Sequence, residues 1–485
     1  MIQKMFPSPL WQRLSWGLFL LLAVAAFLIT IGIPLEVSYV IGIVLVGIVV
    51  WQFPYQSFFA WMATAPLLGF LVSFPTGSVQ FGERAFGGSI DVSLGELIAG
   101  ALLAVWAFRL LLMSRVRPQG WKPWLPLAGA YALVVAAHVL SVFSTISPDP
   151  ILGLKYSLRP VLFVYLTCVL LPVNFLQTRR RLMSVLLLFG VMGVIFSLDG
   201  FRSLFVSGAV EGFHRARPLP LLGVSPLGGN HNALAELLLF AAPALLAWFE
   251  LHRSKRSEPW VVLAVGGMLV VTLLTFARSA WIVLAAEGLL LGMTIWKPWI
   301  KQHLRLVSVL FCAFLPFLIF MIGLSFSTEV KGSTEARATI TSVAWHLFKS
   351  SPWLGTGAGS FEERVSHIYA YTVEFGAPVD SHGLIQKLLS ETGLAGFAAF
   401  IVLFIVVLRH TRFTWQLLKK NREERRAYMY LIAAALGAFV YQLFDTTYWT
   451  SRLWLPVGIL LVAGRIFLHT QSERDPDFLS PSHGE

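Results

Sequence analysis

The sequence is short of charge. Asp, Glu, Lys and Arg make up 13% of its 485 residues, and hydrophobic residues make up 56%. In soluble domains about a quarter of the residues are charged, and no polar tract here is long enough to form a separate soluble domain. Apolar runs approaching the ~20 residues that a helix needs to cross a bilayer recur along almost the whole chain. The composition predicts an all-α, polytopic transmembrane helical bundle, a single membrane domain over residues 1–485.

Features typical of several other protein classes are also missing. Cys168 and Cys312 both lie inside apolar runs, which argues against a disulfide framework or a metal cluster. No metal-ligand spacing and no Asp-rich motif occurs, so we expect neither a metal nor another cofactor. Lys4 and Arg13 precede an apolar stretch that lacks a small-residue cleavage site, which indicates a retained first helix. No internal repeat is evident, which weakens a transporter built from inverted repeats.

The basic residues that give the net charge of +12 are spread over short loops. This distribution indicates membrane topology and argues against a nucleic-acid partner. They cluster after every second apolar run from the fourth to the twelfth, so with the N-terminus inside, both termini are expected in the cytoplasm. The candidate spans, about 12–14 in all by length and hydropathy, are 15–33, 38–53, 57–74, 92–112, 124–144, 158–173, 182–199, 232–249, 260–276, 279–296, 306–324, 383–408, 428–444 and 453–468.

This topology leaves three longer segments outside, 75–91, 200–231 and 325–382. The last is a large periplasmic loop expected to carry short helices. Apolar residues at helical spacing between Ala336 and Lys349 predict an amphipathic helix near the membrane surface. Pro352 is expected to end it, before a glycine-rich turn. Long ordered loops on a rigid scaffold commonly carry function.

Arg278 lies where an apolar stretch too long for one span must fold back on the outer side. An arginine near the membrane is costly unless it is paired or hydrated. It is either an interfacial anchor, a salt-bridge partner for a carboxylate such as Glu287, or part of an anion site. A guanidinium suits bidentate contact with phosphate.

Basic residues in the outer segment 200–231 run against the inside bias, so topology does not explain them. They are His214, Arg215 and Arg217, and the following Pro218 and Pro220 predict an extended backbone that fixes where the arginines point. Two outward basic sites, such as Arg217 and Arg278, together suit a diphosphate.

A helix opens directly after this segment, at Asn230, His231 and Asn232. Asn232 is interpreted either as its N-cap or as a ligand contact, and Asn230 as a supporting polar residue.

His382 begins an apolar helix on the same outer side. A neutral imidazole is a suitable general base for a hydroxyl, and nearby arginines would lower its pKa. Alternatively, it is an amphipathic anchor. Gln386 lies one turn further on the same face, whereas Glu391 falls on the opposite face. Asp380 and Ser381 are expected to cap the helix.

The last outer turn carries a carboxylate and a guanidinium, Asp445 and Arg452. They are expected to pair with each other or to close the edge of the site, where Asp445 would support it.

In their order along the chain, these elements resemble the O-antigen ligase/polymerase superfamily. The resemblance rests on an outer-loop arginine, a G-x-N before a helix, an arginine-small turn, PxLGxGxGxF, and a histidine followed by L-x-E-x-G-x-x-G. The matching residues are Arg217, GNHN at 229–232, RS at 278–279, PWLGTGAGSF at 352–361, and 382–396. The sequence departs from the family where Gly383 follows the histidine and Asn is frequent, and its spans outnumber the usual twelve.

The resemblance implies an inverting, metal-independent membrane glycosyltransferase of the GT-C type. It would move a glycan from an undecaprenyl-diphosphate carrier to an acceptor sugar hydroxyl on the periplasmic side of the bacterial inner membrane, as in lipopolysaccharide synthesis. Arg217 and Arg278 would bind the donor diphosphate, with Arg215 as the alternative to Arg217, and His382 would deprotonate the acceptor. Its partners would be this donor, a glycan or glycolipid acceptor, and the bilayer.

Two other functions remain open at this point. A polymerase would use the same chemistry to extend the glycan on its own carrier. A transporter of a small anion or of the lipid-linked glycan belongs to a different class, and it predicts charges near mid-membrane at broken helices.

Overall fold

The computed structural model is almost entirely helical, as predicted. It describes residues 35–75, 79–81, 84–86, 89–112, 121–144, 150–206, 214–220, 224–325, 328–368, 371, 380–445 and 450–474. The chain divides into two compact units, residues 1–118 and 119–485, and each is described by itself.

The described residues of the first unit form three helices and four short strands. Helices α1 (Leu35–Gln52) and α2 (Pro54–Thr64) meet at a bend of 117°. α3 (Leu94–Leu112) begins after two antiparallel pairs, β1 (Leu71–Pro75) with β4 (Ser89–Ser93) and β2 (Val79–Phe81) with β3 (Arg84–Phe86).

The predicted span 57–74 is therefore wrong. Its helix ends at Thr64, before Pro66, and the chain enters β1 at Leu71. Proline removes a backbone donor and restricts the residue before it, so an apolar run alone does not sustain a helix there.

The second unit is a helical bundle. Its first two long elements are α4 (Trp121–Val142) and α5, which begins at Pro150–Tyr156 and continues to Phe175 through alternating π-helical and α-helical turns. The others are α6 (Arg179–Val206), α7 (His231–His252), α8 (Glu258–Leu274), α9 (Arg278–Thr294), α10 (Lys297–Gln302), α11 (Leu304–Ser325), α12 (Thr328–Ser350), α13 (Phe361–Ser366), α14 (Leu384–Leu417), α15 (Arg422–Gln442) and α16 (Ser451–Arg474).

Seven helices of the described residues are long and apolar enough to cross a membrane, or eight if α1 and α2 form one broken span. The chain is thus a multi-pass membrane protein. The predicted span 260–276 corresponds to α8, a shorter helix of 17 residues. The predicted span 15–33 lies outside the described residues.

The most buried element is α7, which packs against α6, α8 and α15. Its small residues, among them Ala235, Ala241 and Ala244, are fully buried and let neighbouring helices approach closely. Tyr441 of α15 joins Ala235 in a cluster with α9 residues Ala277, Ala280 and Val283. This cluster holds together the ends of α7, α9 and α15 where the candidate site lies.

The predicted amphipathic helix is present as α12, and it is longer than its apolar pattern indicated. It ends at Ser350, just before Pro352 as predicted. Ile340 and Ala344 pack against Phe361, Val365 and Tyr371. This packing fixes the rotation of α12 about its axis.

Candidate functional site

His382 lies in the turn that leads into α14, and it is partly buried. Gly383 forms the N-cap with φ of 145°, a conformation that favours glycine. A Cβ at this position would come within 2.9 Å of the carbonyl oxygen of Leu443. The close approach sets His382 beside the turn that follows α15, where Asp445 lies.

Burial lowers the pKa of His382 below its usual 6.5, and the positive charge of Arg337 lowers it further. The negative charges of Asp445 and Asp380 partly offset both effects. The imidazole is thus neutral at pH 7 and able to accept a proton. The predicted direction is correct, but the largest cause is burial, and the arginine involved is Arg337 of α12.

The predicted capping role of Asp380 and Ser381 is wrong, since α14 begins without a side-chain cap. Asp380 Oδ1 instead accepts a hydrogen bond of 2.8 Å from the Ser381 N–H, and Oδ2 pairs with the Lys387 ammonium. Lys387 is only 3% exposed, and its Nζ also lies 3.5 Å from Glu391 Oε1 and 5.2 Å from the ring centre of Tyr156. The segment before His382 is therefore tied to the interior of the bundle.

Glu391 holds the glycine-rich turn and not a ligand. Its carboxylate accepts hydrogen bonds from the N–H groups of Gly359 at 2.9 Å and Phe361 at 3.1 Å. Backbone N–H groups arranged in such a turn form an anion-binding nest, and here the protein's own carboxylate occupies it. Glu391 is thus engaged by the glycine-rich turn and by Lys387.

The same turn docks onto a kink in α14 at Gly393, which has φ of 61°. A side chain there would meet the Trp353 carbonyl at 2.6 Å. The N–H groups of Leu394 and Ala395 donate to the carbonyls of Pro352 and Trp353, at 2.8 and 3.1 Å. The PxLGxGxGxF motif thus replaces helix hydrogen bonds that the kink removes, which makes its role structural.

Residues 214–220 form no helix or strand. The Ala216 N–H donates to the Leu274 carbonyl at 2.8 Å, and the Arg217 N–H donates to Ser203 Oγ at 3.0 Å. Arg215 Nη1 lies 3.0 Å from His231 Nε2. The segment is thus bound to α6 and α8, and both arginines are partly buried.

Arg278 is the first residue of α9, at the predicted fold-back after α8. Glu287 is not its partner, because Glu287 is buried against Gly437 and its Oε1 accepts no hydrogen bond from the described residues. The Tyr441 hydroxyl donates to the Asn232 carbonyl at 3.0 Å, and Tyr441 packs in one cluster with Ala277 and Ala280 at the start of α9. Tyr441 therefore joins the N-terminal ends of α7 and α9.

The N-cap of α7 is Asn230, and the prediction of Asn232 was wrong by two residues. The Asn230 side chain accepts from the Asn232 N–H at 2.8 Å. Asn at an N-cap accepts from an N–H that the first helical turn leaves unpaired.

Arg452 forms a salt bridge of 3.2 Å with Glu236 of α7, a pairing that the sequence did not reveal. Gln442 donates to the other carboxylate oxygen of Glu236 at 2.8 Å. Asp445 instead acts electrostatically on His382. Gln386, which the sequence placed on the His382 face, donates to Thr341 Oγ1 of α12 at 2.9 Å.

Tyr441 thus links the N-terminal ends of α7 and α9, the start of α14 approaches Leu443 just after it, and α12 packs against α14. Helix N-termini attract anions, and each of these carries a basic or titratable side chain, His231, Arg278 or His382. The charge of Arg337 acts on all three. Sequence reasoning missed Arg337. The feature that could have indicated it is its position as a lone arginine on the inward face of an amphipathic helix.

Residues 261–401 match the family model described as O-antigen ligase. The matched range contains Arg278, Arg337, the glycine-rich turn and His382, and the Arg215 and Arg217 segment precedes it. No curated protein matches the chain significantly in sequence.

Proposed function

We propose that this chain, of which residues 261–401 match the O-antigen ligase family model, transfers a glycan from an undecaprenyl-diphosphate carrier to the hydroxyl of an acceptor sugar. The donor lies in the bacterial inner membrane, and the reaction takes place on its periplasmic side. The observation that supports the proposal is a neutral imidazole, that of His382, under the charge of an arginine, Arg337, which also acts on Arg278.

In this reaction His382 removes the proton from the acceptor hydroxyl. The acceptor oxygen forms a bond to the anomeric carbon as the bond from that carbon to the carrier diphosphate breaks, so the anomeric configuration inverts. Negative charge develops on the leaving diphosphate. Arg278 and Arg217 stabilise that charge through bidentate hydrogen bonds, which preorganised donors provide without reorganising at the moment of reaction.

Arg215 supports the site in a different way from Arg217. Its guanidinium is directed to His231, whereas the Arg217 backbone is anchored to α6 and leaves its side chain for the ligand. We therefore assign the diphosphate contact to Arg217 and the positioning of the α7 N-terminus to Arg215.

The decisive experiment incubates the purified protein with undecaprenyl-diphosphate-linked glycan, with and without a separate glycolipid acceptor. Product on the acceptor alone identifies a ligase, which we expect. A ladder of extended glycan on the carrier, formed without acceptor, identifies a polymerase. If neither product forms and reconstituted vesicles take up the glycan, the protein is a transporter and the proposal is wrong.

A further inference from the structure

We propose that Arg337 of α12 is a third guanidinium of the diphosphate site and binds the donor beside His382. The inference rests on the proposed function and adds a binding residue from the large outer loop. It makes α12, which lies in the large outer loop 325–382, part of the binding site.

The rotation of α12 points Arg337 inward. At 100° per residue, Arg337 lies within about 60° of Ile340, Thr341 and Ala344. Ile340 and Ala344 are buried in the cluster with α13, and Thr341 accepts from Gln386 of α14 at 2.9 Å. Arg337 thus lies on the side of α12 that faces the bundle and is itself partly buried.

The contact between α12 and α14 then brings Arg337 towards His382. Thr341 is one turn after Arg337, and its hydroxyl donates to the Arg337 carbonyl at 2.8 Å. Gln386 lies in the first turn of α14, four residues after His382, and it bonds this same hydroxyl. The joined pair, Thr341 and Gln386, therefore lies four residues from each of the two functional residues, and the Arg337 charge acts on the His382 imidazole.

The positive charges at and around Arg337 favour the binding of an anion. The charge of Arg337 acts on the Arg278 guanidinium and on the imidazoles of His231 and His382, which it helps to keep neutral, and within the described parts of the chain no carboxylate forms a salt bridge with it. Two guanidinium charges near each other in a partly buried place are unfavourable. A diphosphate supplies negative charge and enough oxygens for several guanidinium groups.

The test measures binding and needs no glycan transfer. The intact protein in nanodiscs of phosphatidylcholine is titrated with inorganic pyrophosphate, and Arg337→Ala is expected to weaken binding about tenfold or more. Arg337→Lys should recover only part of it, because an ammonium cannot make the bidentate contact. Lys349→Ala is the matched control, an exposed cation on the outward side of the same helix, and should bind as wild type does.

Three outcomes overturn the inference. They are wild-type affinity in Arg337→Ala, an equal loss in Lys349→Ala, and the absence of pyrophosphate binding in the wild type. A further arm exchanges the lipid for phosphatidylglycerol. If this headgroup displaces pyrophosphate, Arg337 binds a phospholipid and not the donor. Since every arm reads binding, a failure to transfer glycan leaves the result interpretable and counts against the proposed function alone.

Discussion

The two sides of the beginning of α14 carry charged groups that are arranged in opposite ways. On the inner side, the Lys387 ammonium pairs with the Asp380 and Glu391 carboxylates, and Lys387 and Glu391 are 3% and 1% exposed. On the outer side, Arg278, Arg337 and His382 are partly exposed, and burial and the positive charge of Arg337 lower the pKa of the other two.

This difference distinguishes charged groups with a structural role from charged groups with a functional role. Buried charges persist only where partners satisfy them, and the inner group finds its partners inside the protein. The outer group gathers basic side chains at helix N-termini, which also favour anions. We infer that the inner group fixes the geometry of the segment before α14 and that the outer group binds a ligand.

The largest effect is expected from His382→Ala. If His382 is the general base, its removal should slow transfer about 10²–10⁴-fold, and the thermal unfolding of the purified protein should stay close to that of the wild type. His346→Ala, at an exposed position on α12, is the control and should transfer normally. Full activity of His382→Ala would show that the outer group contains no essential base.

Arg278→Ala should reduce transfer about 10–100-fold, since a charge-assisted hydrogen bond contributes about 1.5–3 kcal/mol. Arg278→Lys should be nearly as impaired if the contact is bidentate, and Arg217 should follow the same pattern. Arg256→Lys, exposed at the opposite end of α8, should leave the rate unchanged. Good activity of the Lys variants at both Arg217 and Arg278 would indicate simple anchoring at the membrane surface.

The sequence predicted much of this arrangement because local signals carry it. The length of the apolar run required a fold-back at Arg278, and Pro352 follows the end of α12. The family motifs identified His382. Each of these features depends on a few neighbouring residues.

The remaining features depend on contacts between segments far apart in the sequence. Arg337 looked like any basic residue of an amphipathic helix, because the packing of α12 on α13 and α14 decides which way it points. The pairing of Lys387 with Asp380 depends on the path of the loop before α14. Arg452 forms a salt bridge with Glu236, more than two hundred residues earlier in the sequence. No local sequence pattern indicates such a partner.

Lys387→Met tests the inner group. The substitution leaves the Glu391 and Asp380 carboxylates without their cation, and breaking a buried ion pair in this way costs about 3–5 kcal/mol. Thermal unfolding in detergent should therefore occur at a clearly lower temperature, and transfer should fall moderately through misplacement of His382. Lys349→Met, exposed on α12, should unfold as wild type does. Equal unfolding temperatures in the two variants would contradict a structural role for the inner charges.

The smallest effect is expected from Asp445→Asn. The test is the direction in which this variant shifts the pH dependence of transfer. The Asp445 charge raises the pKa of His382, so its removal should lower that pKa further. A base works only when unprotonated, and transfer is lost as the pH falls through its pKa. The acid limb of kcat/KM should therefore move to lower pH in Asp445→Asn and to higher pH in Arg337→Ala, which removes a positive charge. If the acid limb moves in the same direction in the two variants, the acid limb does not report the ionisation of His382.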